Sequence, residues 1–176
     1  MFEKILICLD GSRLAEQALP VATESCPPFK SEVVLLQVVT SNITISSPQS
    51  IYIPPLGGKI DYGSIPVSDM AGEFAVESGV GSQLAEIERQ QDVNQRYLEK
   101  LAHQLRIKGI KVTTVISHGE QIGETIVHWA EKHGVTLIAL TSHGQGGLEK
   151  TGFGRVAWEV LKGSEIPILI VKPKSF

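Results

Sequence analysis

The sequence predicts an α/β domain: an open parallel sheet of five strands with helices on both faces. Three observations carry that reading. Short runs rich in apolar and β-branched residues alternate along the chain with amphipathic helical patterns, and strands buried on both faces read as continuous apolar runs. The stretch Val135 to Lys172 holds one complete unit of this pattern, strand, glycine-rich loop, helix and strand, which suggests a parallel crossover. A chain of 176 residues is also enough for one domain with a full core.

The elements follow in order. Lys4 to Leu9, KILICL, reads as a buried strand ending at Asp10-Gly11-Ser12. Ser12 is placed to cap a helix in which Leu14, Ala15, Ala18, Leu19 and Ala22 recur at helical spacing. Pro20 lies inside that pattern and is expected to kink the helix or weaken its second half. Glu32 to Val39, EVVLLQVV, is the second strand. Residues 41–82 hold Pro48, Pro54, Pro55 and Pro66 with scattered glycines and no sustained period, and read as an irregular insertion. Its apolar residues Ile51, Tyr52, Ile53, Leu56 and Tyr62 either fold over a site or partner or belong to a mobile surface loop. Gln83 to Ile107 is the longest helix, with a stripe of Leu84, Ile87, Val93, Tyr97, Leu101 and Leu105, stopped by Gly109. Residues 110–116 form the third strand. Ile122 to Lys132 is a helix with Ile126, Val127 and Ala130 facing inward, ended near Gly134. Strands at 135–141 and 167–172 flank the last helix.

Composition bounds the function. Hydrophobic residues at 42% and charged residues at 20% are ordinary for a globular protein. A net charge of −3 gives no electrostatic case for nucleic acid or an anionic membrane, so any anion site must be local and built largely from backbone. No apolar run approaches the ~20 residues of a transmembrane helix. The start, MFEKILICLDGS, lacks the apolar core and cleavage site of a signal peptide. Cys8 and Cys26 form no CxxC or ligand pair, which points to reduced thiols and a cytoplasmic protein.

Chemistry concentrates between Thr141 and Val156. Gly144, Gly146, Gly147, Gly152 and Gly154 join a strand to a helix. Glycine lets a ligand approach the backbone, and the N–H groups of a helix start attract anions. The SHG tripeptide, nine residues, Gly154, a short helix and then PILIVKP resemble the C-terminal signature of the universal stress protein family. The resemblance runs from Lys4 to Lys172 and includes the order of elements. It implies strand order 3-2-1-4-5, the sheet of the adenine nucleotide alpha hydrolase-like folds. It also implies a homodimer through the last strand, and a site for ATP, ADP or AMP with Mg²⁺ on the phosphates. The family's ATP-binding members carry Gly-x2-Gly-x9-Gly-Ser/Thr. Here those positions are Thr141, Gly144, Gly154 and Arg155, so two of four depart.

In a sheet of that order, ligands bind where the order reverses, between the first and fourth strands. The resemblance implies Asp10 on the adenosine part, the Val38 backbone paired with adenine, Leu140 as a further binding position flanking the loop, and Gly144, Gly154, Arg155 and Val156 on the phosphates. Each has a plainer role available. Asp10 suits a turn or helix cap, and Val38 and Leu140 suit a core. Arg155 could pair with phosphate oxygens, fill the space, or point into solvent, while Thr141 adds bulk beside the ligand. His143 is a lone loop histidine without a second ligand at metal spacing. No GxxxxGK[ST], GxGxxG or GxSxG pattern occurs, nor any set of base, nucleophile and metal that defines an efficient enzyme. Slow ATP hydrolysis at most is expected. Two readings stand: a nucleotide-binding regulatory or stress-response factor, and a nucleotide-free dimeric scaffold of the same family.

Overall fold

The computed structural model describes residues 2–24, 31–40, 80–144 and 153–174, with 80–88 described by backbone alone. Its strands are β1 (Lys4–Leu9), β2 (Glu32–Val39), β3 (Lys111–His118), β4 (Leu137–Thr141) and β5 (Ile168–Val171). Its helices are a 3-10 turn (Ala15–Gln17), α1 (Ala18–Glu24), α2 (Val80–Ile107), α3 (Ile122–Lys132) and α4 (Arg155–Gly163). The chain divides into two compact units, 1–41 with 93–176, and 42–92. In the second unit the described residues are the first part of α2. The expected insertion at 41–82 lies outside the described residues except for its last three, which are helical, so α2 begins before the expected Gln83.

The first unit carries one five-stranded sheet in the order β3-β2-β1-β4-β5, with every pair parallel. β1 is paired on both sides, with Ile7 opposite Leu35 of β2 and opposite Ala139 of β4. Alternate residues then serve two separate cores. Ile5, Ile7, Val33, Leu35, Leu137 and Ala139 pack with α1 and with Leu98, Leu101 and Leu105 of α2. Leu6, Cys8, Val34, Leu36, Ile138 and Leu140 pack with Ile126, Val127 and Ala130 of α3 and Ala157 and Val160 of α4. The start of the sheet is pinned by one hydroxyl. Thr136 Oγ1 accepts from the Glu3 and Lys4 N–H groups at 3.0 and 3.1 Å and donates to the Lys4 carbonyl at 3.0 Å.

Two expectations need correction. Pro20 does not fall inside one continuous helix. The segment opens as the 3-10 turn, with the Ala15 N–H bonded to Ser12 Oγ at 3.1 Å, and the α-helix proper starts at Ala18. Pro20 thus sits in the first turn of α1, where a missing N–H costs little. In α2 the inward stripe is Asn94, Leu98, Leu101, Ala102 and Leu105, and Val93 is 54% exposed. Helical spacing from Leu98 and Leu101 selects position 94 and turns its neighbour outward. Asn94 is tolerated inside because its Oδ1 accepts from Gln37 Nε2 at 3.5 Å.

Both helix stops at glycine have one geometry. After α3, Val135 N–H bonds to Ala130 O at 3.0 Å and Gly134 N–H to Glu131 O at 3.3 Å, with Gly134 at φ +64°. After α2, Ile110 and Gly109 N–H groups repeat those bonds to Leu105 and Arg106 carbonyls at 3.2 and 2.9 Å. This double bond with a left-handed residue is the Schellman closure. A Cβ on Gly134 would meet nothing within 4 Å, so substitution there strains only the backbone. Gly134→Ala should therefore lower stability by about 1–2 kcal/mol, the left-handed penalty of an ordinary residue. Gly134→Asn should lose less, because asparagine visits that region. Urea denaturation reads both, with midpoints falling and slopes unchanged.

Candidate ligand-binding crevice

Because β1 runs between β2 and β4, the chain leaves its carboxyl end toward one side and the chain leaving β4 goes to the other. A crevice of about 530 Å³ opens there. Its apolar wall comes from Cys8, Leu36, Val38 and Leu140 of the strands, with Ile122 and Ile126 of α3. Its polar rim comes from Asp10, Thr141, His143, Gly144, Gly154 and Arg155. The volume falls within the ~300–1,000 Å³ common for small-molecule sites, and an apolar wall with a few polar groups is their usual build.

All seven residues singled out by sequence line this one space: Asp10, Val38, Leu140, Gly144, Gly154, Arg155 and Val156. Asp10 has a local task as well. Its Oδ1 accepts the Ser12 N–H at 2.9 Å, which shapes the turn after β1 with Gly11 at φ +83°. Its other oxygen lies against Gly144. A Cβ built on Gly144 would come within 2.9 Å of Asp10 Cγ and overlap Oδ2, so the two loops meet only because position 144 has no side chain. Thr141 is buried, at 7% exposure, in the floor between these loops.

The ends of the glycine-rich loop are stapled. Ser142 N–H bonds to Val171 O at 2.8 Å, and Gly154 N–H bonds to Ser142 O at 2.7 Å. The Gly154 donor is therefore used inside the loop and is not available to a ligand. The next N–H groups, at the start of α4, receive no side-chain cap. In a helix these first donors have no intrahelical acceptor and face whatever lies beyond the helix end. Gly146, Gly147 and Gly152 lie outside the described residues. His143 is engaged with its neighbour, its Nδ1 3.0 Å from Ser142 Oγ.

Arg155 stands at the first position of α4 with its side chain 66% exposed, and its Nε is 3.8 Å from Glu159 Oε1. It is neither packed into the crevice nor without a counter-charge. Cys8 is enclosed in the wall, and burial pushes its thiol up to about 12, so it remains a neutral apolar group there. On the opposite face of the sheet, burial and then the nearby Glu16 carboxylate raise the Tyr97 hydroxyl pKa, with Asp10 adding to the effect. Ile122 and Ile126 are site residues that sequence reading missed. Their helical pattern announces a core position and carries no sign that the core stops at a cavity. Among the described residues, no group of three or more His, Cys, Asp or Glu could hold a metal ion. No described helix is long and apolar enough to cross a membrane.

Comparison with known proteins gives a consistent picture. The model of the universal stress protein family matches residues 64–172. Universal stress protein YxiE of Bacillus subtilis is 26% identical over 174 residues, spanning 98% of this chain and 100% of its own. Universal stress protein MJ0577 of Methanocaldococcus jannaschii is 28% identical over 180 residues, 99% of this chain and 98% of its own. The solved structure of MJ0577 superposes with a TM-score of 0.66 and covers 100% of this chain and 99% of that one. A universal stress protein family member from Arabidopsis thaliana, solved with AMP bound, shares the fold at a TM-score of 0.56. It is 14% identical, with coverage of 98% of this chain and 93% of that one.

The contact between Asp10 and Gly144 yields a test of the crevice's construction. Gly144→Ala should destabilise by about 1–3 kcal/mol, the range for forcing atoms into a filled space. Much of that loss should return in the Asp10→Ala/Gly144→Ala double variant, because the obstructing carboxylate is gone. Thermal melts of the four proteins close the cycle, and strict additivity would contradict the contact.

Proposed function

The chain belongs to the universal stress protein family, and we propose that it binds an adenine nucleotide in the β1/β4 crevice and acts as a regulatory or stress-response factor. The observation that supports this most is the convergence of Asp10, Val38, Leu140, Gly144, Gly154, Arg155 and Val156 on one cavity at the switch point of the sheet. The base lies against the apolar wall near Val38 and Leu140, with the main chain of Val38 as its polar partner and Asp10 on the ribose side. The phosphates run toward the uncapped start of α4, where N–H groups and the helix dipole favour negative charge. ATP, ADP and AMP all fit this description, with Mg²⁺ accompanying the longer phosphate chains. The AMP-bound fold relative makes an adenine nucleotide the first ligand to try.

Regulation rather than turnover is the output we propose, because among the described residues the rim offers no positioned base or nucleophile beyond a turn-forming Asp10 and a serine-bonded His143. A second reading, a nucleotide-free scaffold, is favoured by Thr141 in the crevice floor and by the counter-charge already beside Arg155. Either form would assemble as a homodimer through β5. All four β5 residues are apolar and only partly buried, and β5 ends the sheet. An apolar edge invites pairing, and a copy of the same edge closes it with two-fold symmetry.

Calorimetric titration with ATP and AMP tests the nucleotide reading. The wild type should bind both. If the guanidinium reaches an outer phosphate, Arg155→Ala should lose about 1.5–3 kcal/mol for ATP, the worth of a hydrogen bond to a charged group, and less for AMP. If the side chain obstructs the phosphates, Arg155→Ser should instead strengthen ATP binding. No binding by any of these proteins would leave the scaffold as the better reading. Light scattering at micromolar concentration should give the mass of a dimer, and a monomer would exclude pairing through β5.

A further inference from the structure

Glu159 joins both helices bordering the crevice. Its two carboxylate oxygens have separate tasks. Oε2 accepts the Gly123 N–H at 3.2 Å, at the second residue of α3. Gln121, the residue that precedes α3, makes no side-chain cap bond, so Glu159 supplies from α4 the acceptor that α3 does not supply itself. A carboxylate at a helix N-terminus is also favoured by the dipole. Gly123 permits the approach, since a Cβ there would lie 2.7 Å from Glu159 Oε2 and overlap Glu159 Cβ. Oε1 faces Arg155 Nε at 3.8 Å. The Glu159 side chain is 34% exposed against 66% for Arg155, and the acid is the member of the pair that is also bonded to α3.

We infer that Glu159 is a specificity-determining residue that competes with the ligand's outer phosphates for Arg155 and so biases the crevice toward nucleotides with fewer phosphates. The inference rests on the nucleotide reading above and deepens it. An anion arriving at the start of α4 meets a cation whose counter-charge is already in place. To recruit Arg155 it must draw the guanidinium from a carboxylate that α3 holds still. It also meets the negative charge of Glu159 itself, which grows more costly with each added phosphate. A ligand with one phosphate, seated nearer the Gly144 side, needs neither interaction. Arginine at the first position of a helix is itself unfavourable to the dipole, so the pairing with Glu159 also offsets a local cost that a bound phosphate would otherwise relieve.

Glu159→Gln separates the two tasks, because the amide oxygen still accepts the Gly123 N–H while the charge is gone. Titration with ATP and AMP at low and high salt is the measurement. The variant should bind ATP about two- to fivefold more tightly, the size of one exposed charge pair. AMP should change by less than about twofold, and the ATP gain should shrink as salt rises. In the Arg155→Ala background the competition for the guanidinium is gone, and Glu159→Gln should keep only the part of its effect that comes from direct repulsion of the phosphates. ATP binding that appears only in Glu159→Gln would be the extreme form of the same result. Nucleotide binding with an unchanged ATP/AMP ratio, or weaker ATP binding by Glu159→Gln at an unaltered melting temperature, would overturn the competition and leave the nucleotide site standing. Absence of binding by every variant would overturn both together.

Discussion

Two-sided pairing of β1 is the constraint from which the rest of the molecule follows. A strand buried on both faces and bonded on both edges has no freedom of register, and Leu6 is fixed opposite Val34 and Ile138 at once. Its alternate residues must then serve two cores, which is why KILICL is apolar without alternation. The same pairing dictates where the sheet opens. The chains leaving β1 and β4 depart to opposite sides, and among the described residues no helix fills the gap between them. The crevice is therefore a product of topology before any residue in it is chosen. Short internal bonds then join residues beside the openings: Asp10 to Ser12 after β1, and Ser142 to Gly154 after β4.

Most of this fold is legible in the sequence. The apolar runs locate β1 and β2 to the residue, whereas β4, buried along its whole length, starts at Leu137 rather than at the expected Val135. The edge strands are read less well. β3 extends to His118 rather than stopping at position 116, and β5 starts at Ile168 rather than Pro167. On an edge one side has no partner, so polar residues such as Ser117 can enter the ladder and a proline can precede it. Pro20 misleads for a related reason: a proline inside an apolar period is ambiguous between a broken helix and the first turn of a new one. Val93 misleads because its chemistry suits the core while the phase set by Leu98 and Leu101 turns it outward.

The crevice was legible in its rim and only partly in its wall, where the resemblance pointed to Val38 and Leu140 alone. Glycine, aspartate and arginine near strand ends carry signals that survive without coordinates. Ile122, Ile126 and Leu36 do not, since a residue facing a cavity and one facing a core obey the same period. Nor does any local pattern announce that Gly144 is required by Asp10, more than a hundred positions away. The bond from Gly154 to Ser142 changes the meaning of the motif as well. A glycine expected to offer its N–H to a phosphate spends it on the loop, and the donors left for an anion are those of the next turn.

Those donors begin at the residue where the sequence departs from the family's phosphate pattern. A small hydroxyl at position 155 would add one neutral hydrogen bond beside the helix start. Arginine adds a full charge on a long side chain, and a charge near a protein surface is governed by its neighbours more than by its own reach. Here the neighbour is Glu159, one turn along the same helix and bonded across to α3. The departure at 155 is therefore not an isolated exchange of serine or threonine for arginine. It comes with a carboxylate 3.8 Å from the guanidinium, and with a glycine at 123 that lets the carboxylate reach its place. Two features that look unrelated in sequence, a helix without its own cap and a loop without its hydroxyl, are parts of one electrostatic arrangement at the mouth of the crevice.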